Sequence, residues 1–342
     1  MARVSGMTSW PKRLLRFFLL CLLLGGAAGW WVYQDYRAFL AEPLPLPDEG
    51  LYYQVERGAS INTIARDWRQ LGLVRQPLYL IAYARLNKLA PRIKAGEYHL
   101  LTGMTVTAIM DDIIAGRTVQ YTLTIPEGWT YRQMLQAIWQ HPQIVNTLTE
   151  QDDGAIMAAL GAPDQHPEGL FFPDTYHFPR ATTDLDFLRR AYQTMQDKLQ
   201  AAWQQRQSDL PLKNAYQALI LASIIEKETG LASERPDIAG VFIRRLRKGM
   251  RLQTDPTVIY GLGDEFDGNL RRVHLTTDNP YNTYTRGGLP PTPIALPGQA
   301  ALQAAVNPAA GDTLYFVATG DGGHKFSKTL REHNRAVRKF QR

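Results

Sequence analysis

The sequence predicts an α+β protein carried on an N-terminal transmembrane helix. Three observations lead there. An uncharged run, FFLLCLLLGGAAGWWVY, occupies Phe17–Tyr33. Beyond residue 50, short β-rich runs alternate with helical stripes. The composition over 342 residues is globular, at 45% hydrophobic, 20% charged and 10% aromatic. Disorder, collagen and coiled coil are excluded at that level, and the length supports one large domain or two modest ones.

Seventeen uncharged residues lie at the short end of a bilayer span, and Leu14 and Leu15 extend it. Trp30, Trp31, Tyr33 and Tyr36 close the run where an aromatic belt would sit. Arg3, Lys12, Arg13 and Arg16 precede the first acid, Asp35, and carry four of the net +6 charges. The positive-inside rule therefore puts the N-terminus in the cytoplasm and the body outside. The alternative is a cleaved signal peptide, because Gly25 to Gly29 is small enough for a peptidase. The run continues through two tryptophans, which favours a retained anchor. Leu20 before Cys21 is not small, which argues against a lipoprotein. Cys21 is the single cysteine, so an intrachain disulfide and a Cys-ligated zinc site are excluded. With the tail set aside the charge is nearly balanced, so no nucleic-acid partner is expected.

Residues 37–50 hold Pro43, Pro45 and Pro47 and read as a stiff, extended spacer. Three local repeats follow, starting at Gly58, Gly103 and Gly128. Each is a β-rich run, then Gly-x-[Ser/Thr], then a helical stripe. Ser60, Thr105 and Thr130 suit the N-cap, and the glycine allows the turn that delivers it. Tyr79–Leu89 reads as an amphipathic helix and Gly96–Leu101 as a strand. Residues 183–207 read as a long polar helix with apolar spots at Phe187, Ala191, Met195 and Leu199. A hydrophobic helix from about 215 precedes a Gly/Pro/Asn/Tyr-rich stretch at 254–298, a strand at Leu314–Ala318 and a terminal helix. The aromatics of 254–298 make it a functional loop system.

The strongest chemical signal is Ala218-Leu-Ile-Leu-Ala-Ser-Ile-Ile-Glu-Lys-Glu-Thr229. On a helix, Ile220, Leu221, Ile224 and Ile225 span an apolar arc of roughly 140°. Glu228 falls near the middle of that arc and Glu226 on the opposite side. A carboxyl held against apolar groups stays protonated near neutrality, as a general acid requires. The alternative is that the helix ends and Glu228 bends to water, with Gly230 at C′. Gln253, Thr254 and Asp255 precede a short helix with Pro256 at N1, and Tyr281-Asn-Thr-Tyr-Thr285 supplies rings and amides. Such groups suit sugars. There is no Gly-x-Ser-x-Gly elbow, no Walker loop, no dinucleotide fingerprint and no His pair at metal spacing. The histidines, His324 among them, read as ordinary polar positions.

The first two repeats resemble the LysM module, which often binds N-acetylglucosamine-containing glycans. Taken together, Leu221–Thr229, Val241–Gly261, Tyr281–Thr285, Gly288-Leu-Pro-Pro291, Pro293–Gly298, Leu314–Ala318 and Gly322–Ser327 closely resemble the endolytic murein transglycosylase (YceG-like) family. The resemblance implies a basic tail at 1–16, an anchor at 17–36, a linker at 37–50, a LysM-like α/β subdomain at 51–120 and a mixed α+β catalytic domain at 121–342. It implies a peptidoglycan lyase, single-pass in the inner membrane with the catalytic domain periplasmic. Such a lyase cuts the β-1,4 bond between N-acetylmuramic acid and N-acetylglucosamine and leaves 1,6-anhydro ends. By similarity Glu228 is the catalytic acid. Gln253, Thr254, Asp255, Tyr281 and Asn282 are candidates for holding the sugars. No metal or organic cofactor is expected, and penicillin-binding synthases are the protein partners the resemblance implies. A non-catalytic peptidoglycan-binding scaffold and a water-using muramidase are the rival readings.

Overall fold

The computed structural model describes residues 10–341, and the chain divides into two compact units between Gln120 and Tyr121. Arg3, with the rest of residues 1–9, lies outside the described residues.

The first unit begins with helix α1, Trp10–Ala41. Its stretch from Leu14 to Ala41 is long and apolar enough to cross a membrane. The helix outlasts the uncharged run and takes in the first five residues of the expected spacer. The rest of that spacer is laid onto the unit and does not stand free. Leu44 is buried, its N–H donates to the Met104 carbonyl (2.9 Å), and Pro43 bridges Thr105. Prolines stiffen this segment, but burial of Leu44 decides where it lies.

The remaining elements of this unit are strand β1 (Leu51–Val55), helices α2 (Ile61–Gln70) and α3 (Pro77–Leu86), strand β2 (Gly96–Leu100) and helix α4 (Val106–Ala115). β1 and β2 pair antiparallel, Tyr53 opposite Tyr98. The Gly58 and Gly103 repeats are not two modules. Ile64 and Trp68 from one share a single core with Ile109 and Ile113 from the other.

The second unit holds strand β3 (Tyr121–Thr124), helix α5 (Tyr131–Gln140), strand β4 (Ile144–Val145), helix α6 (Asp153–Ala159), strands β5 (Thr175–Phe178) and β6 (Thr182–Thr183), and helices α7 (Asp184–Gln204), α8 (Ala215–Glu228) and α9 (Arg235–Arg247). Helices α10 (Asp255–Leu262), α11 (Arg272–Thr276) and α12 (Gln299–Val306), strands β7 (Tyr315–Ala318) and β8 (His324–Ser327) and helix α13 (Leu330–Phe340) complete it. Its sheets are two-stranded: β3–β5 and β7–β8 are antiparallel, β4–β6 parallel. The organising element is α8, packed against α7, α9, α10 and α12.

Local chemistry explains the helix starts. Ser60, Thr105 and Thr130 each accept the backbone N–H three residues on, from Thr63, Ala108 and Gln133. The glycines before them, Gly58, Gly103 and Gly128, all have φ near +80°, a region that L residues avoid. Helix α7 buries Phe187, Ala191, Met195 and Leu199 on one stripe, as its spacing requires.

Helix α8 is buried well beyond its Ile/Leu arc. Every residue from Ala218 to Ile225 is buried, so the side opposite the Ile/Leu arc does not face water. Glu226 is accordingly buried, with 4% of its side chain exposed. It is neutralised by Arg235 of α9, whose Nη2 lies 2.9 Å from its Oε1, while the Gly298 N–H donates to its Oε2 at 2.9 Å. Glu127 also approaches Arg235, at 3.6 Å. A Cβ built on Gly298 would fall 1.6 Å from the Glu127 carboxylate, so a larger residue there would push the Glu127 side chain out of its place beside Arg235. This knot ties α8, α9 and the end of the 254–298 stretch together. Removing Glu226 leaves the buried Arg235 with only the more distant, half-exposed Glu127 as counter-charge. Glu226→Ala is therefore expected to cost about 3–5 kcal/mol of unfolding free energy. Urea melts of the variant and parent check it, and a change within error would dismiss the knot as a fold constraint.

Candidate functional site

The helix that carries Glu226 ends at Glu228. Thr229 is extended (φ −147°, ψ 138°) and terminates it, so Gly230 does not form a left-handed cap. Glu228 remains in helical register and turns inward. Its Oε1 accepts a short hydrogen bond from the Thr254 hydroxyl. Burial pushes the Glu228 carboxyl up to about 7. Asp255 adds to the rise, whereas the Thr254 hydroxyl, His324 and Arg245 pull the other way. The position at a helix C-terminus, where the backbone dipole is negative, works in the same sense as burial. The group is an acid that holds its proton to near neutrality, as the phasing of the Ile/Leu arc predicts.

Thr254 is held by a ring of hydroxyls. Its N–H donates to Thr283 Oγ1 (3.1 Å), Thr283 and Thr257 hydroxyls are 2.9 Å apart, and Thr257 donates back to the Thr254 carbonyl (2.8 Å). Thr254 and Thr257 belong to the start of α10 and Thr283 to the aromatic loop. The ring thus fixes the hydroxyl that faces Glu228 from two directions. Gln253, just before it, sits at φ +50° with its N–H on the Thr283 carbonyl (3.2 Å). That left-handed conformation is unusual for a residue with a Cβ and is imposed by its surroundings. The Gln253 side chain is exposed. Asp255 is also exposed and accepts the Tyr284 hydroxyl at 2.5 Å.

The structure thus brings Glu228, Thr254 and Asp255 together, with Gln253 beside them. Tyr281 is engaged elsewhere: its hydroxyl bonds Thr292 (2.9 Å) and its ring meets Tyr260 edge-on at 4.9 Å. Asn282 is a correction. It is fully buried, its Nδ2 donates to the His274, Leu275 and Thr277 carbonyls, and its Oδ1 accepts the Tyr284 N–H. It shapes the loop and presents nothing to a sugar.

Several contributors carry no signal of their role in the sequence. Arg245 of α9 donates to the Leu252 carbonyl (2.7 Å) and the Leu314 carbonyl (2.7 Å), fixing the chain that leads into Thr254. Arg244-Arg245 is a visible pair in the sequence, but which arginine turns inward is not. His324 is not an ordinary polar position. Its Nδ1 lies 2.7 Å from Glu234 Oε2, its N–H donates to Glu234 Oε1, and its ring meets Phe316 edge-on. Glu168 is another buried carboxyl, pushed up to about 7 by burial and bonded by the Tyr131 N–H (3.0 Å) and Tyr260 hydroxyl (3.2 Å).

This geometry sits inside a recognisable sequence family. The family model described as "YceG-like family" matches residues 53–339. The chain belongs to the YceG-like family. Among its relatives, the endolytic murein transglycosylase of Bacillus subtilis is 31% identical, over 93% of this chain and 91% of that one. An endolytic murein transglycosylase of Streptococcus pneumoniae is 27% identical, over 94% of this chain and 64% of its own length. A crystal structure of a YceG-like protein from Listeria monocytogenes is 30% identical, with a TM-score of 0.52 over 84% of this chain and 99% of that one. In the YceG-like chain described here, Glu228 and Thr254 both lie within the matched span.

The hydroxyl contact carries a signed expectation. A donor to the carboxylate favours its charged form, so losing that donor raises the acid's pKa. Thr254→Val is expected to lower turnover and to move the alkaline limb of the pH–rate profile upward by about one unit, about 1.4 kcal/mol. Thr254→Ser, which keeps the hydroxyl, leaves the limb near the parent's. A limb that moves downward in Thr254→Val would mean that the hydroxyl does not act on the charged form.

Proposed function

We propose that this YceG-like protein is an endolytic lytic transglycosylase of peptidoglycan, with Glu228 as its single acid and base. The observation that carries the reading is a carboxyl kept protonated near neutrality by burial and oriented by one hydroxyl. The names borne by the bacillary and pneumococcal relatives agree with it.

Ordinary glycosidases use two carboxyl groups, since one must activate water or attack the sugar. Here the substrate supplies its own nucleophile. Glu228 gives its proton to the oxygen between N-acetylmuramic acid and N-acetylglucosamine. The C1–O bond breaks and N-acetylglucosamine leaves with a new 4-hydroxyl. The 6-hydroxyl of the muramic residue then bonds C1, and its proton returns to Glu228. The result is a 1,6-anhydro ring, with no water consumed and the acid regenerated. Thr254 orients the carboxyl, and Asp255 and Gln253 are the exposed groups left beside it to meet sugar hydroxyls.

Two further features belong to the same proposal. The strand–helix–helix–strand order of β1, α2, α3 and β2, closed by an antiparallel pair, supports a LysM-like glycan-binding unit. Helix α1 is a retained single-pass anchor in the inner membrane. Its basic N-terminal side is cytoplasmic, and the rest of the chain stands on the periplasmic side.

Glu228→Gln keeps the shape and removes the transferable proton. It is expected to fold like the parent and to release soluble muropeptides from purified sacculi at least about 100-fold more slowly. Mass spectrometry of the parent's products is expected to find anhydro ends. Reducing ends would make the enzyme a muramidase, and no product from the parent would leave only a binding role.

A further inference from the structure

Helix α1 does not end where its apolar run ends. At a rise of about 1.5 Å per residue, Asp35 stands only about 6 Å beyond Trp31 of the aromatic belt. There the helix is fastened to the body of its own unit. The Tyr79 hydroxyl donates to Asp35 Oδ2 at 2.8 Å. The Tyr79 ring takes Tyr36 and Phe39 edge-on, each at 5.6 Å between centroids. Phe39 and Leu40 pack on the core that holds Trp68 and Leu80.

This fastening fixes the height of the turn between α2 and α3. A cavity of about 530 Å³ is lined by Trp31, Asp35 and Phe39 on one side and by Leu73, Arg75 and Tyr79 on the other. A headgroup layer is roughly 5–8 Å thick on each face of the hydrocarbon. The α2–α3 turn lines the same cavity as a belt tryptophan, which brings it to the height of that layer when α1 spans the bilayer. The turn is built for such a place. Leu71 and Leu78 flank it with 50% and 72% of their surface exposed. Arg69 and Arg75 are exposed beside them, and the Arg69 guanidinium closes the turn on the Arg75 carbonyl (3.1 Å). A lone exposed leucine on a soluble surface needs no explanation. Two at membrane height, with two arginines among them, are the chemistry of interfacial seating on phospholipid.

We propose that residues 69–78 seat in the headgroup layer of the bilayer that α1 crosses. Leu71 and Leu78 enter the interface, Arg69 and Arg75 meet lipid phosphates, and the first unit is held against the membrane surface. The proposal rests on the reading of α1 as a retained transmembrane helix.

The test uses the full chain in nanodiscs of mixed zwitterionic and anionic phospholipid. In a Cys21→Ser background, a single environment-sensitive fluorophore is placed through Leu71→Cys, Leu78→Cys or Leu19→Cys. Nitroxide lipids carry the spin either at the headgroup or deep in the acyl chain. The deep nitroxide is expected to quench the label at 19, and the headgroup nitroxide to quench labels at 71 and 78 by about twofold or more, as interfacial depth requires. Quenching at 19 with none at 71 and 78 overturns the seating while leaving the anchor intact. No quenching at 19 overturns the anchor, and the proposal with it. Labels at 71 and 78 shielded from aqueous iodide in native membranes but open in lipid-only nanodiscs would assign the turn to a protein and overturn the lipid. Gln70→Cys and Gln76→Cys, exposed polar positions in the same segment, give the same reading should a leucine variant fold poorly.

Discussion

A carboxyl turned toward the interior, at the end of a helix buried from Ala218 to Ile225, is the constraint around which the second unit is arranged. Helix α8 has no solvent face from Ala218 to Ile225, and the next turn carries two glutamates. Each must be accommodated in an interior where an isolated charge is costly. The fold uses two different solutions. Glu226 receives a guanidinium and a backbone amide. Glu228 receives a hydroxyl, and burial pushes it up to about 7. Each unit of such a rise is about 1.4 kcal/mol of preference for the protonated form. One helix end thus holds an ion pair that ties elements together and an acid that keeps its proton.

The irregular chain from 254 to 298 follows from this arrangement. Loops without regular ladders must satisfy their backbone groups elsewhere. Asn282 gathers three carbonyls, and the Ser223 hydroxyl in mid-α8 takes the Ile294 N–H at 3.0 Å. The Gly298 amide closes on Glu226, and the threonine ring at 254, 257 and 283 fixes the one hydroxyl that touches the acid. Polar side chains that resemble sugar ligands in the sequence are partly spent on this internal wiring. What remains exposed at Glu228 is narrower: Gln253 and Asp255.

Local chemistry was legible in the sequence, and long-range chemistry was not. The three glycine-plus-cap starts, the stripe of α7 and the inward Glu228 follow from turn geometry and the 3.6-residue period. The burial of Glu226 is not legible there, because a period tells which side a residue is on and not whether that side meets water or Arg235. The spacer was misread because proline content reports stiffness and not the site on which Leu44 would be buried. Asn282 looked like a ligand because its type suits one. Only the carbonyls around it show that its bonds are already made. Arg245, and His324 with Glu234, owe their roles to partners about 70 and 90 residues away, beyond the reach of any local pattern.

The central claim is that burial keeps Glu228 protonated near neutrality. The most direct measurement is a pH titration of that carboxyl by difference infrared spectroscopy between the parent and Glu228→Gln, read at the protonated-acid carbonyl stretch. The account requires a band that is present in the parent, absent in the variant, and lost with a midpoint near pH 7. A midpoint near an unperturbed glutamate, about 4.3, would contradict it and leave the enclosed position of Glu228 without chemical consequence.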